Sequence, residues 1–149
     1  KNQGFTLIEL MVTIAVMAII AMMAAPSFGN LIQKQNLNRS TQELIGQLNN
    51  ARSKAVLERR NVEVVLASNS SAVQVADTPE KLNWYPSEKA VLKTGSPTQI
   101  TFLLSGGVEN FAADINGRPF IVCNESGGNK SKNISISLMG TIHVTEGTC

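Results

Sequence analysis

The sequence predicts an α+β fold: one long N-terminal helix followed by a domain of short antiparallel strands. Three observations predict it. The segment Phe5 to Ala25 is apolar or small throughout, apart from Thr6, Glu9 and Thr13. From Leu37 to Ala55 apolar and small residues recur at alternating steps of four and three, the period of one helical stripe. Beyond about Arg60 the period falls to two, with glycine and asparagine clusters between the runs.

The bulk composition narrows the function classes. The chain has 149 residues, enough for one globular domain and an accessory element. Its net charge of +2 is too small to argue for nucleic acid as a partner. No nucleophile–base pair, metal-ligand spacing or phosphate-binding loop stands out, so enzymatic chemistry is not expected, and neither is a cofactor or a metal. The two cysteines, Cys123 and Cys149, have no C-x-x-C partner pattern and no histidine cluster. A structural disulfide in an oxidising compartment is the better reading, with two buried or reactive thiols as the alternative. Such a bridge encloses about 26 residues and would stabilise the fold by roughly 3 kcal/mol.

Taken in order, the first element is long enough to span a bilayer, since about 20 apolar residues suffice. Pro26 is expected to end or kink it, because proline lacks the N–H and clashes with the preceding turn. Past Pro26 the stripe Leu37, Thr41, Leu44, Leu48, Ala51 and Ala55 predicts a continuing helix that covers the following domain with one face. Arg59 and Arg60 close it, where cations suit the helix dipole. Then "NVEVVLAS" and "SAVQVAD" predict a hairpin about Asn69-Ser70-Ser71. Asp77 to Pro97 reads as loop with one or two short edge strands. "QITFLL" and "PFIVC" are further strands. "NISISLMGTIHV" is a strand pair with Ile134, Ile136 and Leu138 on one face, turning near Met139-Gly140 into Ile142 and Val144.

Glu9 is the sharpest single feature. A lone carboxylate in a bilayer-spanning helix costs about 2.5 kcal/mol or more. It must be neutralised, paired, or reach the headgroups. His143, the single histidine, has no nucleophile beside it in the sequence and reads as a strand residue. Lys89, Lys93, Lys130 and Lys132 could form a basic patch, but read better as a solvated face. Asn124-Glu125-Ser126 reads as a chance match to a glycosylation pattern.

The stretch "GFTLIELMVTIAVMAIIAMMAAP" resembles the class III signal and N-terminal helix of type IV pilins and type II secretion pseudopilins. "ARSKAVLERRNVEVVL" and the late cysteine before "ISISLMG" resemble the GspH/FimT-like minor pilins, among them the FimU-like ones. The resemblance implies a division into residues 1–4 as the end of a leader peptide, 5–30 as a transmembrane and filament-core helix, and 31–149 as a periplasmic GspH/FimT-like domain. The amphipathic half of the helix would pack on the antiparallel sheet and the apolar half would protrude. A prepilin peptidase would cut between Gly4 and Phe5 and N-methylate Phe5. The chain begins with Lys1 and not Met, so further basic leader residues are expected upstream. Glu9 would be the assembly residue, pairing with the new amine of Phe5 or of a neighbouring subunit. The implied partners are the peptidase, other minor and major pilins or pseudopilins, and the inner membrane of a Gram-negative bacterium before assembly. The final location would be the tip of an extracellular pilus.

That resemblance leaves three functional readings. One is a minor pilin that initiates or caps a type IV pilus. A second is a DNA-uptake minor pilin of the FimT type. A third is an H-type type II secretion pseudopilin. The DNA-uptake subunits carry Gly-Arg-x-Arg in the last hairpin. Here the matching place reads Gly140-Thr141-Ile142-His143, without either arginine. Major pilins often carry a helix-loosening glycine where this chain has Ala18, so local melting of the helix is not implied here.

Overall fold

A computed structural model describes residues 4–149. The leader position Lys1 lies outside the described residues. Helix α1 runs without interruption over Leu7–Glu58. Thr6 caps its start: the Glu9 N–H donates to the Thr6 carbonyl at 3.1 Å and to Thr6 Oγ1 at 3.3 Å. Pro26 lies inside the helix and does not end it. It has no N–H to donate and so leaves one intrahelical bond unmade, yet the helix continues past it.

At its far end α1 stops by backbone geometry. Arg59 adopts a left-handed conformation with φ of 52°, and the Arg60 N–H closes back on the Ala55 carbonyl at 3.2 Å. This is a Schellman-type terminus built without glycine. The two arginines therefore lie past the last turn and not within it. The Arg60 guanidinium pairs with Glu58 and reaches Glu80 at 3.7 Å, so carboxylates, and not the helix dipole alone, account for its place.

The described chain divides into two compact units, with the boundary between Ile32 and Gln33. In the first, the chain is helical from Leu7 onward and its large apolar side chains are exposed all round. Phe5 at 82% and Val16 at 50% bracket their exposure up to Met23. The second unit holds the rest of α1 and two sheets. Each of the six stripe residues Leu37, Thr41, Leu44, Leu48, Ala51 and Ala55 is buried. The five apolar ones join one hydrophobic core with Val62, Val64, Trp84, Phe102, Phe120, Val122 and Ile134. The Thr41 hydroxyl satisfies itself on the Leu37 carbonyl at 2.8 Å.

Polar tethers fix this half of α1 in place. Ser40, fully buried, accepts the Ser87 N–H at 2.8 Å. Arg52 Nε donates to the Gly106 carbonyl at 3.0 Å. Asn124 Nδ2 donates to Gln33 Oε1 at 3.2 Å.

The strands are β1 (Val62–Leu66), β2 (Lys81–Trp84), β3 (Val91–Leu92), β4 (Gln99–Phe102), β5 (Phe120–Cys123), β6 (Ser131–Ile136) and β7 (Ile142–Gly147), with a one-turn helix α2 at Phe111–Asp114. One sheet has the order β2-β1-β4 and the other β3-β5-β6-β7. The second is antiparallel throughout. In the first, β1 pairs antiparallel with β4 but parallel with β2.

That parallel pair corrects the hairpin expected about Asn69-Ser70-Ser71. "SAVQVAD" forms no strand. Residues 67–80 instead make the crossover that parallel pairing requires. Side chains of β2 and its neighbour hold it. Asn83 Nδ2 donates to the Val75 carbonyl at 3.3 Å, the Asn83 N–H donates to Asp77 Oδ1 at 2.7 Å, and the Val75 N–H donates to the Tyr85 hydroxyl at 2.7 Å. Of the one or two short edge strands expected between Asp77 and Pro97, two are present, β2 and β3. In the last strand pair Ile134 and Ile136 are buried as their alternation predicts, whereas Leu138 lies beyond β6 in the turn and is exposed.

Cys123 and Cys149 form a disulfide with Cα atoms 5.9 Å apart. It joins the end of β5 to the segment after β7. Both alternatives with free thiols fall away.

Candidate functional site

The N-terminal segment gathers Gly4, Phe5 and Glu9 at the start of α1. Gly4 and Phe5 precede the helix and are exposed. A Cβ at Gly4 would meet nothing within 4 Å. Among the described residues the fold therefore places no steric demand for glycine at this position. Phe5 is two residues before the first helical turn, and Glu9 lies within that turn.

Thr6 and Glu9 form half of a capping box. The Thr6 hydroxyl takes the Glu9 N–H, which orients the first turn and leaves the carboxylate out of it. Glu9 is exposed, and among the described residues its carboxylate has no ion-pair or hydrogen-bond partner. It is also the sole acidic residue of the first turn. The Thr-x-x-Glu spacing was visible in the sequence and could have revealed the cap.

The apolar helix that follows contains a stretch long and apolar enough to cross a membrane. Among the described residues its large apolar side chains from Phe5 to Ile32 are exposed. A contiguous apolar surface of this size marks a membrane or a protein interface.

The remaining candidates disperse. His143 is exposed on β7 and stands opposite Ser135 in the β6–β7 register, and among the described residues no carboxylate is bonded to it. The stretch Gly140-Thr141-Ile142-His143, which leads from the turn into β7, carries no arginine of its own. Gly140 has φ of 78°, and Arg52 lies so close that a Cβ at Gly140 would meet its Nε at 2.8 Å. Close approach and backbone conformation both require glycine there. The lysines do not form one patch. Lys130 and Lys132 line a cleft with Lys34, while Lys93 lines a separate groove beside the disulfide. Sequence reasoning missed Lys34, which comes from α1 and meets the other two only through the tertiary fold.

Comparison with known families turns this geometry into a lineage. The prokaryotic N-terminal methylation motif matches residues 1–25. The family described as type II transport protein GspH matches residues 40–140. The chain belongs to the GspH family. It is a pilin-like subunit, a minor pilin or a pseudopilin in the general sense, and its α+β architecture is the one this membership implies. Such families are structural, and their members are prepilin-peptidase substrates that assemble with other pilins or pseudopilins. No curated protein and no solved structure gives a match.

Proposed function

We propose that this GspH-family subunit is a minor pilin that helps initiate or cap a type IV pilus, acting in the complex at its tip. The observation that carries the reading is the N-terminal constellation. An exposed Gly4-Phe5 pair precedes a helix whose first half is apolar all round and whose first turn holds one carboxylate without a partner among the described residues.

In this reading a prepilin peptidase cleaves between Gly4 and Phe5 and N-methylates Phe5. The folded part then faces the periplasm of a Gram-negative cell while the helix rests in the inner membrane. Cleavage creates an amine whose ordinary pKa is about 8, so at neutral pH it is a cation. Glu9 in hydrocarbon is costly, and pairing with a neighbour's Phe5 amine relieves part of the cost of both charges. The helix then passes from lipid into a bundle of like helices with little change in the polarity around it. Pro26, one intrahelical bond short, is the natural place for a kink that fits the helix to such a bundle. The subunit performs no catalysis of its own and needs no cofactor or metal.

A second reading, an H-type pseudopilin of a type II secretion system, is favoured by the description of the matched family. Both readings share every step above and differ in the filament served. DNA uptake is disfavoured by the arginine-free Gly140–His143 turn.

The test has two parts. Mass spectrometry of the chain matured in cells with a prepilin peptidase should find N-methylated Phe5 as the first residue. An uncleaved chain contradicts the processing step. Cross-linking in cells that carry both machines should then join the subunit to pilus components. Capture by pseudopilins alone would move the assignment to the secretion system.

A further inference from the structure

The cleft lined by Lys34, Lys130 and Lys132 has a volume of about 220 Å³. It lies between α1 and the β6–β7 pair, beside the buried Leu37. Lys132 is ion-paired with Glu146 at 2.7 Å. With three lysines and one glutamate, the cleft keeps an excess of positive charge. The lysine bond holds the exposed Glu146 carboxyl below the ordinary carboxylate range, with Lys34 and Lys130 adding to the effect. Glu146 therefore stays charged and steadies Lys132.

The position of Lys34 along α1 is informative. The exposed apolar surface of the helix reaches Ile32, and Lys34 follows two residues later on the same unbroken element. At about 1.5 Å per residue, residues 5–32 measure about 40 Å. A bilayer measures about 40–45 Å between the outer limits of its headgroups. A helix that fills the bilayer with this stretch places Lys34 at headgroup level. Lys130 and Lys132 share that level because they line the same cleft.

We propose that this cleft binds the phosphate of an anionic lipid headgroup and holds the subunit on the membrane surface until assembly extracts it. Lysine suits the task, since an ammonium grips phosphate as a point charge without demanding one orientation. The attraction is of the polybasic kind that anionic leaflets exert on residues next to a span, and salt screens it. An acidic face of another subunit offers the same sign of charge. Headgroup phosphate is favoured because the cationic cleft sits where the apolar surface ends. The inference rests on the reading of the apolar stretch as membrane-spanning.

The experiment uses the full chain in nanodiscs of phosphatidylcholine, alone or mixed with phosphatidylglycerol. Amine acylation rates are read lysine by lysine by mass spectrometry. Co-migration with the discs scores insertion separately. In the anionic discs at low salt, Lys34 and Lys130 should react several-fold more slowly than in neutral discs, and the difference should vanish at high salt. Lys54, about 30 Å further along α1, should react equally in both. Lys34→Gln should restore part of the Lys130 rate. Equal Lys34 and Lys130 rates in both discs overturn the lipid site while leaving the span intact. Protection in neutral discs that arises only on adding acidic pilin domains overturns it in favour of protein docking. Failure to enter either disc overturns the spanning reading and the lipid site with it.

Discussion

The two halves of α1 are one continuous helix made for two different surroundings. From Phe5 to Ile32 the large apolar side chains are exposed on every side. From Gln33 to Glu58 a single stripe is buried, and the opposite face is largely polar, with Leu57 exposed near its end. Both stretches belong to the same α-helix, which continues through Pro26, so helicity itself distinguishes nothing. What differs is what the side chains require: the first half must find apolar surroundings outside the chain, whereas the second has found them in its own sheets. Stability and assembly are thereby separated along one element, and substitutions in the two halves should report different properties.

The largest expected contrast comes from truncating one side chain in each half. Leu44 is fully buried and Ile14 is 61% exposed. Leu44→Ala should destabilise the chain by about 2–5 kcal/mol, from lost burial and the cavity left behind. Ile14→Ala should leave urea unfolding of the sheet-containing unit unchanged and affect only insertion or assembly. Equal losses of stability from the two would erase the distinction. A somewhat smaller effect is expected at the disulfide. Cys149→Ser should cost roughly 3 kcal/mol in the same unfolding measurement, and it should leave processing at Gly4–Phe5 untouched. A cysteine variant that lost processing as well would couple the two regions.

The contrast also explains what was legible in the sequence. The buried stripe could be read residue by residue because Leu37 to Ala55 keep the helical period and face one core. Ser40, equally buried, gave no such signal, because its burial depends on the distant Ser87 N–H. The parallel β1–β2 pair was hidden for a similar reason. "SAVQVAD" alternates like a strand, yet Asn83, Asp77 and Tyr85 hold that region as a crossover. Leu138 continues the alternation of Ile134 and Ile136 but falls in the turn, where alternation has no meaning. The N-terminal constellation was legible because its residues are neighbours in sequence. The lysine cleft was not, since Lys34 and Lys130 are far apart along the chain and meet only in the folded unit.

In the proposed reading Glu9 serves assembly and not folding. The most direct measurement compares Glu9→Ala with the unaltered chain for N-terminal maturation and for incorporation into sheared filaments, in the same cells. Mostly intact processing at Phe5, an unchanged folded domain and a severe loss of incorporation are expected. Normal incorporation of Glu9→Ala would contradict it.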